Sequence, residues 1–303
     1  MEQSSSQSLS LPLSPRDWFL ARGREVRCKD RPLIMGIVNV TADSFYDRGR
    51  YANPEQAVAH ALELAEQGAD ILDIGAESTR PGANPVNEQD ELARVIPVVT
   101  KLARRVTVPI SVDTTKSRVA QLALDAGASI INDVSALRFD AQMATVIARS
   151  GAGIILMHMQ GTPQTMQHTP HYESVVTEVS HFLDERMQVA MEAGIAKTNI
   201  VLDPGIGFGK LLVHNLDILN QLSSFTMLNR PLLVGLSRKS FIGQIVARSV
   251  EHREWGTAAA VALAVDRGAQ ILRVHDVAMM ADVVKMAAAV KSRPSSSRQE
   301  HFA

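Results

Sequence analysis

Eight short apolar runs in this chain each end on residues that can do chemistry. The first ends at Asn39, and the second runs into Glu77-Ser-Thr-Arg-Pro-Gly82. The third and fourth end at Asp113-Thr114 and Asn132-Asp133, and the fifth at Met157-His158. The sixth ends at Asp203, before Pro204-Gly-Ile-Gly-Phe-Gly-Lys210. The seventh leads to Ser237-Arg-Lys-Ser240 and the eighth to Arg273-Val-His275-Asp276. Singly, Asp113 or Asn132 would be an ordinary helix cap. Together, carboxylates and cations at equivalent places in successive units point to a shared polar ligand, because buried or half-buried charges are costly unless paired.

These residues divide by charge. Arg238, Lys239, Arg273 and His275 belong to the last two units, with Thr79 and Arg80 able to reach over, and they suit an anion such as a phosphate or diphosphate. Ser240 is expected to open a helix, whose first N–H groups also attract negative charge. Asp113, Asn132 and Asp203 offer acceptors to a heterocycle rich in N–H groups. A carboxylate facing a guanidine-like edge makes two charge-assisted hydrogen bonds. Asn39 can give an oxygen to Mg²⁺, which takes few protein ligands and several substrate oxygens.

Other features read more plainly. His158, His168 and His171 lie in or after a loop, without the carboxylates a transition-metal site would add. Met157 and Met159 read as core fillers. Gly205-x-Gly-x-Gly-Lys210 lacks the spacing of a nucleotide phosphate loop. Arg104-Arg105 and the arginines from Arg248 to Arg253 read as solvated faces or turns.

The elements that must carry these groups follow from hydrophobic pattern. The apolar runs cover 33–39, 70–75, 109–113, 129–133, 153–157, 199–203, 231–236 and 270–274. They are short and rich in Ile, Val and Leu, as strands buried on both faces should be. Amphipathic helical patterns separate them, at 54–67, 88–104, 116–126, 140–149, 172–193, 213–222, 240–267 with a break at 248–256, and 276–291. Several end on a Gly suited to closing a helix, such as Gly68 and Gly151. Eight β-α units predict an α/β fold, a (β/α)₈ TIM barrel, whose strand ends converge on a single mouth. A doubly wound sheet is the alternative. It would need a Gly-rich turn after its first strand, where this chain has Asn39-Val-Thr-Ala-Asp43.

Broken alternation at Arg22-Gly-Arg24, between Trp18 and Lys29, predicts a short hairpin ahead of the barrel. Residues 1–17 and 292–303, rich in Ser, Gln and Pro, read as flexible tails around one catalytic domain at 18–291. Composition agrees with a globular enzyme: 46% of residues are hydrophobic, enough for a sizeable core. The balance of 31 basic against 32 acidic residues argues against a dedicated nucleic-acid or membrane-surface binder. No run reaches the length of a membrane span. The single cysteine, Cys28, excludes a disulfide framework or a cysteine zinc site and suits the cytoplasm.

Taken in order, Met35-Gly-Ile-Val-Asn-Val-Thr-Ala-Asp-Ser-Phe45, Glu77-Ser-Thr-Arg-Pro-Gly82, Ser111-Val-Asp-Thr114, Asn132-Asp133, Leu156-Met-His-Met-Gln-Gly161, Asp203-Pro-Gly-Ile-Gly-Phe-Gly-Lys210, Ser237-Arg-Lys-Ser240 and Arg273-Val-His275 resemble the motifs of the dihydropteroate synthase family. The resemblance spans about residues 18 to 291. It implies a transferase of folate biosynthesis, and a sulfonamide target, that joins 6-hydroxymethyl-7,8-dihydropterin diphosphate to 4-aminobenzoate. The products would be 7,8-dihydropteroate and diphosphate. Asp113, Asn132, Asp203 and Lys239 would hold the pterin, between walls of Met157 and Phe208. Arg273 and His275, helped by Thr79 and by Mg²⁺ at Asn39, would bind diphosphate. Ser240, Pro81 and Phe45 would form the 4-aminobenzoate pocket. Catalytic roles would fall to Asp43, Arg80, Lys239, Arg273 and His275. The implied chemistry is SN1-like displacement at the pterin methylene by the amine of 4-aminobenzoate, without a covalent enzyme nucleophile. A homodimer through the last three helices is implied as well.

Two rival functions are a pterin-dependent methyltransferase barrel and a non-catalytic pterin-binding paralogue. The Ser237–Ser240 and Glu77–Gly82 segments favour the synthase over the former, and the full set of substrate residues disfavours the latter. The first loop departs from the family pattern: Ala42 replaces a usual Pro, and Tyr46-Asp47-Arg48-Gly49 adds bulk and charge. Pro to Ala loosens a loop. The expected outcome is altered affinity for 4-aminobenzoate rather than lost chemistry. Arg48→Gly should therefore shift KM for that substrate, and an unchanged KM would remove the idea.

Overall fold

The apolar runs become strands whose side chains alternate between two destinations, and that alternation places the site. The computed structural model describes residues 17–28, 31–40, 54–78 and 82–292. The remaining parts of the two expected tails lie outside them, while Asp17 and Ser292 belong to a strand and a helix. Eight parallel strands follow in chain order: β3 (Leu33–Asn39), β4 (Ile71–Gly75), β5 (Ile110–Asp113), β6 (Ile130–Asp133), β7 (Gly153–Met157), β8 (Ile200–Asp203), β9 (Leu233–Gly235) and β10 (Ile271–Val274). They hydrogen-bond in the order β8-β7-β6-β5-β4-β3-β10-β9. The Leu202–Leu232 bridge joins the two ends, with Leu202 N–H donating to Pro231 O at 3.0 Å. The result is the TIM barrel expected from the pattern.

Helices α1 (Pro54–Glu66), α2 (Glu88–Leu102), α3 (Ser117–Ala126), α4 (Met143–Ser150), α5 (Val175–Glu192) and α6 (Leu212–Asn220) follow successive strands from β3 to β8. The expected break in the seventh unit separates α7 (Ser240–Val246) from α8 (Glu254–Asp266), and α9 (Val277–Ser292) follows β10.

Side chains alternate along a strand with a period of two. Ile34, Val38, Leu72, Ile74, Val112, Ile131, Leu202, Val234 and Leu272 belong to the main core, packed with the helices. Met35, Ile71, Ile130, Ile155, Val201, Leu233 and Ile271 form a second cluster inside the barrel. Two residues further along four of those strands stand Asp73, Asn132, Asp203 and Arg273. The interior is thus an apolar lower layer beneath a polar upper one.

The lower layer is sealed by the expected hairpin, β1 (Asp17–Leu20) paired antiparallel with β2 (Arg24–Arg27), in which Trp18 faces Val26. Its turn needs left-handed backbone at Arg22 and Gly23, with φ of 64° and 67°. Trp18, Leu20 and Cys28 join the inner apolar cluster. Trp18 Nε1–H donates to Asn199 O at 2.8 Å. The buried Arg230 guanidinium donates to the carbonyls of Ile200, Asp17 and Thr198, tying hairpin to barrel. Burial pushes the Cys28 thiol up to about 12, so it is an inert apolar filler.

This plug requires glycine at position 153. A Cβ there would lie 2.5 Å from Leu20 Cδ2 and 2.9 Å from Trp18 Nε1. Overpacking of this kind costs about 1–3 kcal/mol. Gly153→Ala should therefore lower the urea midpoint of unfolding, and a midpoint equal to the parent's would refute the role given to the plug.

Candidate active site

The polar upper layer is organised around Arg273 of β10. Its Nε donates to Asp73 Oδ2 at 2.7 Å and its Nη2 to Asp113 Oδ2 at 2.8 Å. Asn132 Nδ2 donates to the same Asp73 oxygen at 3.2 Å. The sequence suggested acids on one side of the mouth and cations on the other. Arg273 instead sits among the acids, because β10 and β4 both flank β3 and the barrel brings their inward side chains together. Asp73 was missed by sequence reasoning. Its only signal is a carboxylate inside the apolar run Ile71–Gly75, two residues short of the strand end where functional residues are sought.

Burial pushes the Asp113 carboxyl up to about 7, against the lowering effect of Arg273 and with further raising by Asp73, Glu91 and Asp133. Asp203, at the end of β8, is likewise pushed up to about 6 by burial. The Gly205 N–H, donating to Asp203 Oδ1 at 2.7 Å, opposes that shift, as do Lys239, Lys210 and Arg273. The floor of the site therefore holds two carboxyls that ionise near neutral pH, a condition common at functional sites.

The loop after β8 is shaped by the buried amine of Lys210, whose pKa burial lowers well below its ordinary value. Lys210 Nζ contacts His158 Nδ1 at 2.8 Å, Gly205 O at 2.9 Å and Phe208 O at 3.0 Å. The amine thus meets three acceptors and is not left unsatisfied in the interior. Gly205 is required here, since a Cβ would lie 1.9 Å from His158 O and its φ is +67°. Burial, with Lys210 and Arg138 nearby, pushes His158 down to about 2, so this imidazole is neutral. His158 opens the loop after β7, as the sequence suggested. It is buried just past β7 and meets Phe182 edge-on at 4.8 Å between ring centroids.

The same loop sets Phe208 beneath Lys239, whose Nζ is 4.1 Å from the ring centroid, a cation–π arrangement. Met157, Met159, Met166 and Val134 form an apolar cluster against which Phe208 packs. Met157 is thus both a core residue and part of a wall beside the mouth.

The loop after β9 differs from the expectation. Arg238, read as an anion ligand, is committed to Asp276, with Nε–Oδ2 3.1 Å and Nη2–Oδ1 2.6 Å. Its backbone is held in the left-handed region, φ +58°, and its N–H donates to Thr257 Oγ1 at 3.1 Å. Arg253, read as a solvated arginine, donates to Arg238 O at 3.0 Å and Arg248 O at 3.2 Å. This loop presents Lys239, half-buried, and Ser240, the exposed first residue of α7. His275, half-buried after β10, shares a 3.0 Å hydrogen bond between Nδ1 and Ser237 Oγ.

On the other side of the floor a cavity of ≈ 250 Å³ is lined by Asp113, Thr114, Lys116, Phe139 and Pro163 among others. Lys116 Nζ ties Glu77, after β4, to buried Glu91 of α2, at 2.5 and 2.6 Å. Half-buried Asn39 ends β3 opposite Gly75. No group of three His, Cys, Asp or Glu residues able to hold a metal exists among the described residues. A lone neutral amide oxygen at the mouth fits Mg²⁺ that arrives with several ligand oxygens, rather than a resident protein cage.

The fold thus brings together Asn39, Asp113, Asn132, Met157, Asp203, Phe208, Lys239, Ser240, Arg273 and His275 at the strand ends of one barrel mouth. The other expected site residues, Asp43, Phe45, Thr79, Arg80 and Pro81, lie outside the described residues, as do Ala42 and Arg48.

Comparison with known proteins agrees with this geometry. Residues 35–275 match the family described as pterin binding enzyme. The dihydropteroate synthase of Escherichia coli (strain K12) is 45% identical, over 89% of this chain and 95% of its own. The Yersinia pestis dihydropteroate synthase crystallised as a sulfonamide drug complex superposes with a TM-score of 0.87 at 44% identity, covering 90% of this chain and 98% of that one. The Xanthomonas albilineans enzyme in complex with 7,8-dihydropteroate superposes with a TM-score of 0.81 at 45% identity, covering 90% and 98%. Fold, site and near-complete coverage coincide: the chain belongs to the dihydropteroate synthase family of pterin-binding enzymes.

Proposed function

We propose that the floor of this barrel binds the pterin of 6-hydroxymethyl-7,8-dihydropterin diphosphate while its mouth holds the diphosphate, and that the chain catalyses transfer of the pterinylmethyl group to 4-aminobenzoate. The observation that carries this is the buried set of Asp113, Asn132 and Asp203 at the inner strand ends, with Arg273 Nη2 donating to Asp113 Oδ2. Those carboxylates suit the guanidine-like edge of a pterin, which can donate two hydrogen bonds to one acid. Lys239 above Phe208 supplies a donor along one side, and the Met157 wall offers an apolar face to a flat ring.

The reaction is an SN1-like displacement. Asp113 and Asp203 stabilise positive charge that grows on the pterin methylene. Arg273 and His275 stabilise charge leaving on the diphosphate. Asn39 is the residue that would hold Mg²⁺, whose chemistry here is to neutralise diphosphate oxygens. Thr79 and Arg80 extend the diphosphate site. Phe45, Pro81 and Ser240 complete the 4-aminobenzoate pocket, Asp43 has a catalytic role, and closure of the site excludes competing water. No covalent enzyme intermediate is involved, and the amine is the nucleophile.

The chain also pairs with a second copy through its last three helices. Ile245 and Val246 of α7, Trp255 and Leu263 of α8, and Met286 and Val290 of α9 are exposed apolar side chains of that region, and exposed apolar patches commonly mark protein contacts. No helix among the described residues is long and apolar enough to cross a membrane. With a free cysteine as its only one, a cytoplasmic location is the reading we favour.

The purified chain, given dihydropterin diphosphate, 4-aminobenzoate and Mg²⁺, should release diphosphate and form 7,8-dihydropteroate. No release would overturn the function. Asp203→Ala should lose pterin binding by calorimetry, and normal binding would remove that residue from the site. Pterin affinity should also depend on pH. The Asp113 carboxyl of the free protein ionises at about 7, so the charged acceptor is present above that pH and lost as pH falls through it. Affinity should therefore weaken from pH 8 to pH 6, with the slope flattened in Asp113→Asn. Pterin binding equally tight at both pH values would contradict the role of that carboxylate.

A further inference from the structure

Asp73 lies in the middle of β4, wholly enclosed, and touches two of the groups to which the proposed reaction gives work. Its Oδ2 accepts from Arg273 Nε and from Asn132 Nδ2, side chains carried by β10 and β6. Its other oxygen, Oδ1, is buried without a hydrogen-bond partner. Packing does not explain an acid here. Its inward neighbour one step down β4 is Ile71, and a buried carboxylate with an orphaned oxygen is costly compared with such a residue.

The bonds also select which atoms remain for a ligand. Donating Nδ2 to Asp73 fixes the Asn132 amide, so that its Oδ1 is the atom left to accept a pterin N–H. Arg273 spends Nε on Asp73 and Nη2 on Asp113, and neither carboxylate occupies Nη1. That nitrogen is left for an anionic oxygen at the mouth. A single carboxylate thus orients an acceptor for the ring and a donor for the leaving group.

We propose that Asp73 is a positioning residue of the transfer reaction, acting through Asn132 on the pterin and through Arg273 on the diphosphate. The inference rests on the reading of this floor as the pterin site. Asp73 itself touches neither substrate. Its effect is geometric, and small misplacement of binding groups is expensive in rate.

The test is Asp73→Asn, which keeps size and removes charge, beside Asp73→Ser, which leaves a smaller hydroxyl should the amide fold poorly. Melting temperature identifies the folded variants. Displacement of Asn132 and Arg273 should lower kcat/KM for dihydropterin diphosphate by roughly ten- to a hundredfold, while KM for 4-aminobenzoate stays as in the parent. In an Arg273→Lys, Asn132→Ser background the same change should add little, since residues acting through one another are not additive. A loss that persists undiminished in that background, or that strikes both substrates alike, would overturn the proposal. A parent chain that forms no dihydropteroate removes the functional reading itself. A parent that turns over beside Asp73→Asn of equal kcat/KM removes only the inference.

Discussion

A guanidinium inside a barrel has to be answered by carboxylates, and Arg273 is answered by two, Asp73 and Asp113. Both acids are buried, so the exchange is not the loose pairing of a protein surface, where ion pairs contribute little. It forces β4, β5 and β10 to hold their registers, because a slip of one residue would turn a charge toward the helices. The other polar groups follow from it. Asn132 is fixed through Asp73, and Asp113 and Asp203 retain raised pKa values because burial outweighs the cations nearby. The cluster gains little stability for the fold, since buried ion pairs repay their desolvation only partly. Its benefit is a preorganised set of donors and acceptors at one place.

Stability comes from the opposite end. The hairpin closes the barrel bottom with Trp18 and Leu20, and the inner apolar layer separates that plug from the charges. Close approach of Trp18 to Gly153 and the three carbonyls on Arg230 tie the hairpin to the barrel bottom. The top can then carry strained or buried polar elements, such as the left-handed Arg238 and the buried Lys210 with its neutral His158. Division of a barrel into a supporting face and a reacting face is a general property of the fold.

The strands were legible in the sequence to within a residue or two, since eight short runs of Ile, Val and Leu between amphipathic helices admit few architectures. Strand-end residues such as Asp113, Asn132 and Asp203 were legible too, because a polar residue closing an apolar run stands out. Residues that act from outside that position were hidden. Asp73 sits mid-strand, where an acid resembles noise in an apolar run. Arg253 looked like one of several solvated arginines, yet it holds the carbonyl of Arg238 across fourteen intervening residues. Arg238 looked like an anion ligand because it stands beside Lys239 in a polar segment that follows a strand. Its partner Asp276 lies 38 residues away, and no local pattern connects them.

The sequence by itself determined which residues face inward, since the two-residue period of a strand and the 3.6-residue period of a helix are local properties of the backbone. It determined the number of units, and with them the barrel, and it carried motifs specific enough to name a family. What it left open was pairing. Whether Arg273 meets the mouth or the acids, whether Lys210 reaches loop carbonyls, and whether His158 is charged depend on side chains from β4, β5, β7 and β8. Those partners are distant in the chain and meet only when the barrel closes. Burial, which sets the cost of each unpaired charge, likewise exists only in the closed barrel. Tertiary structure decided the electrostatics for that reason, while the sequence had already decided the scaffold.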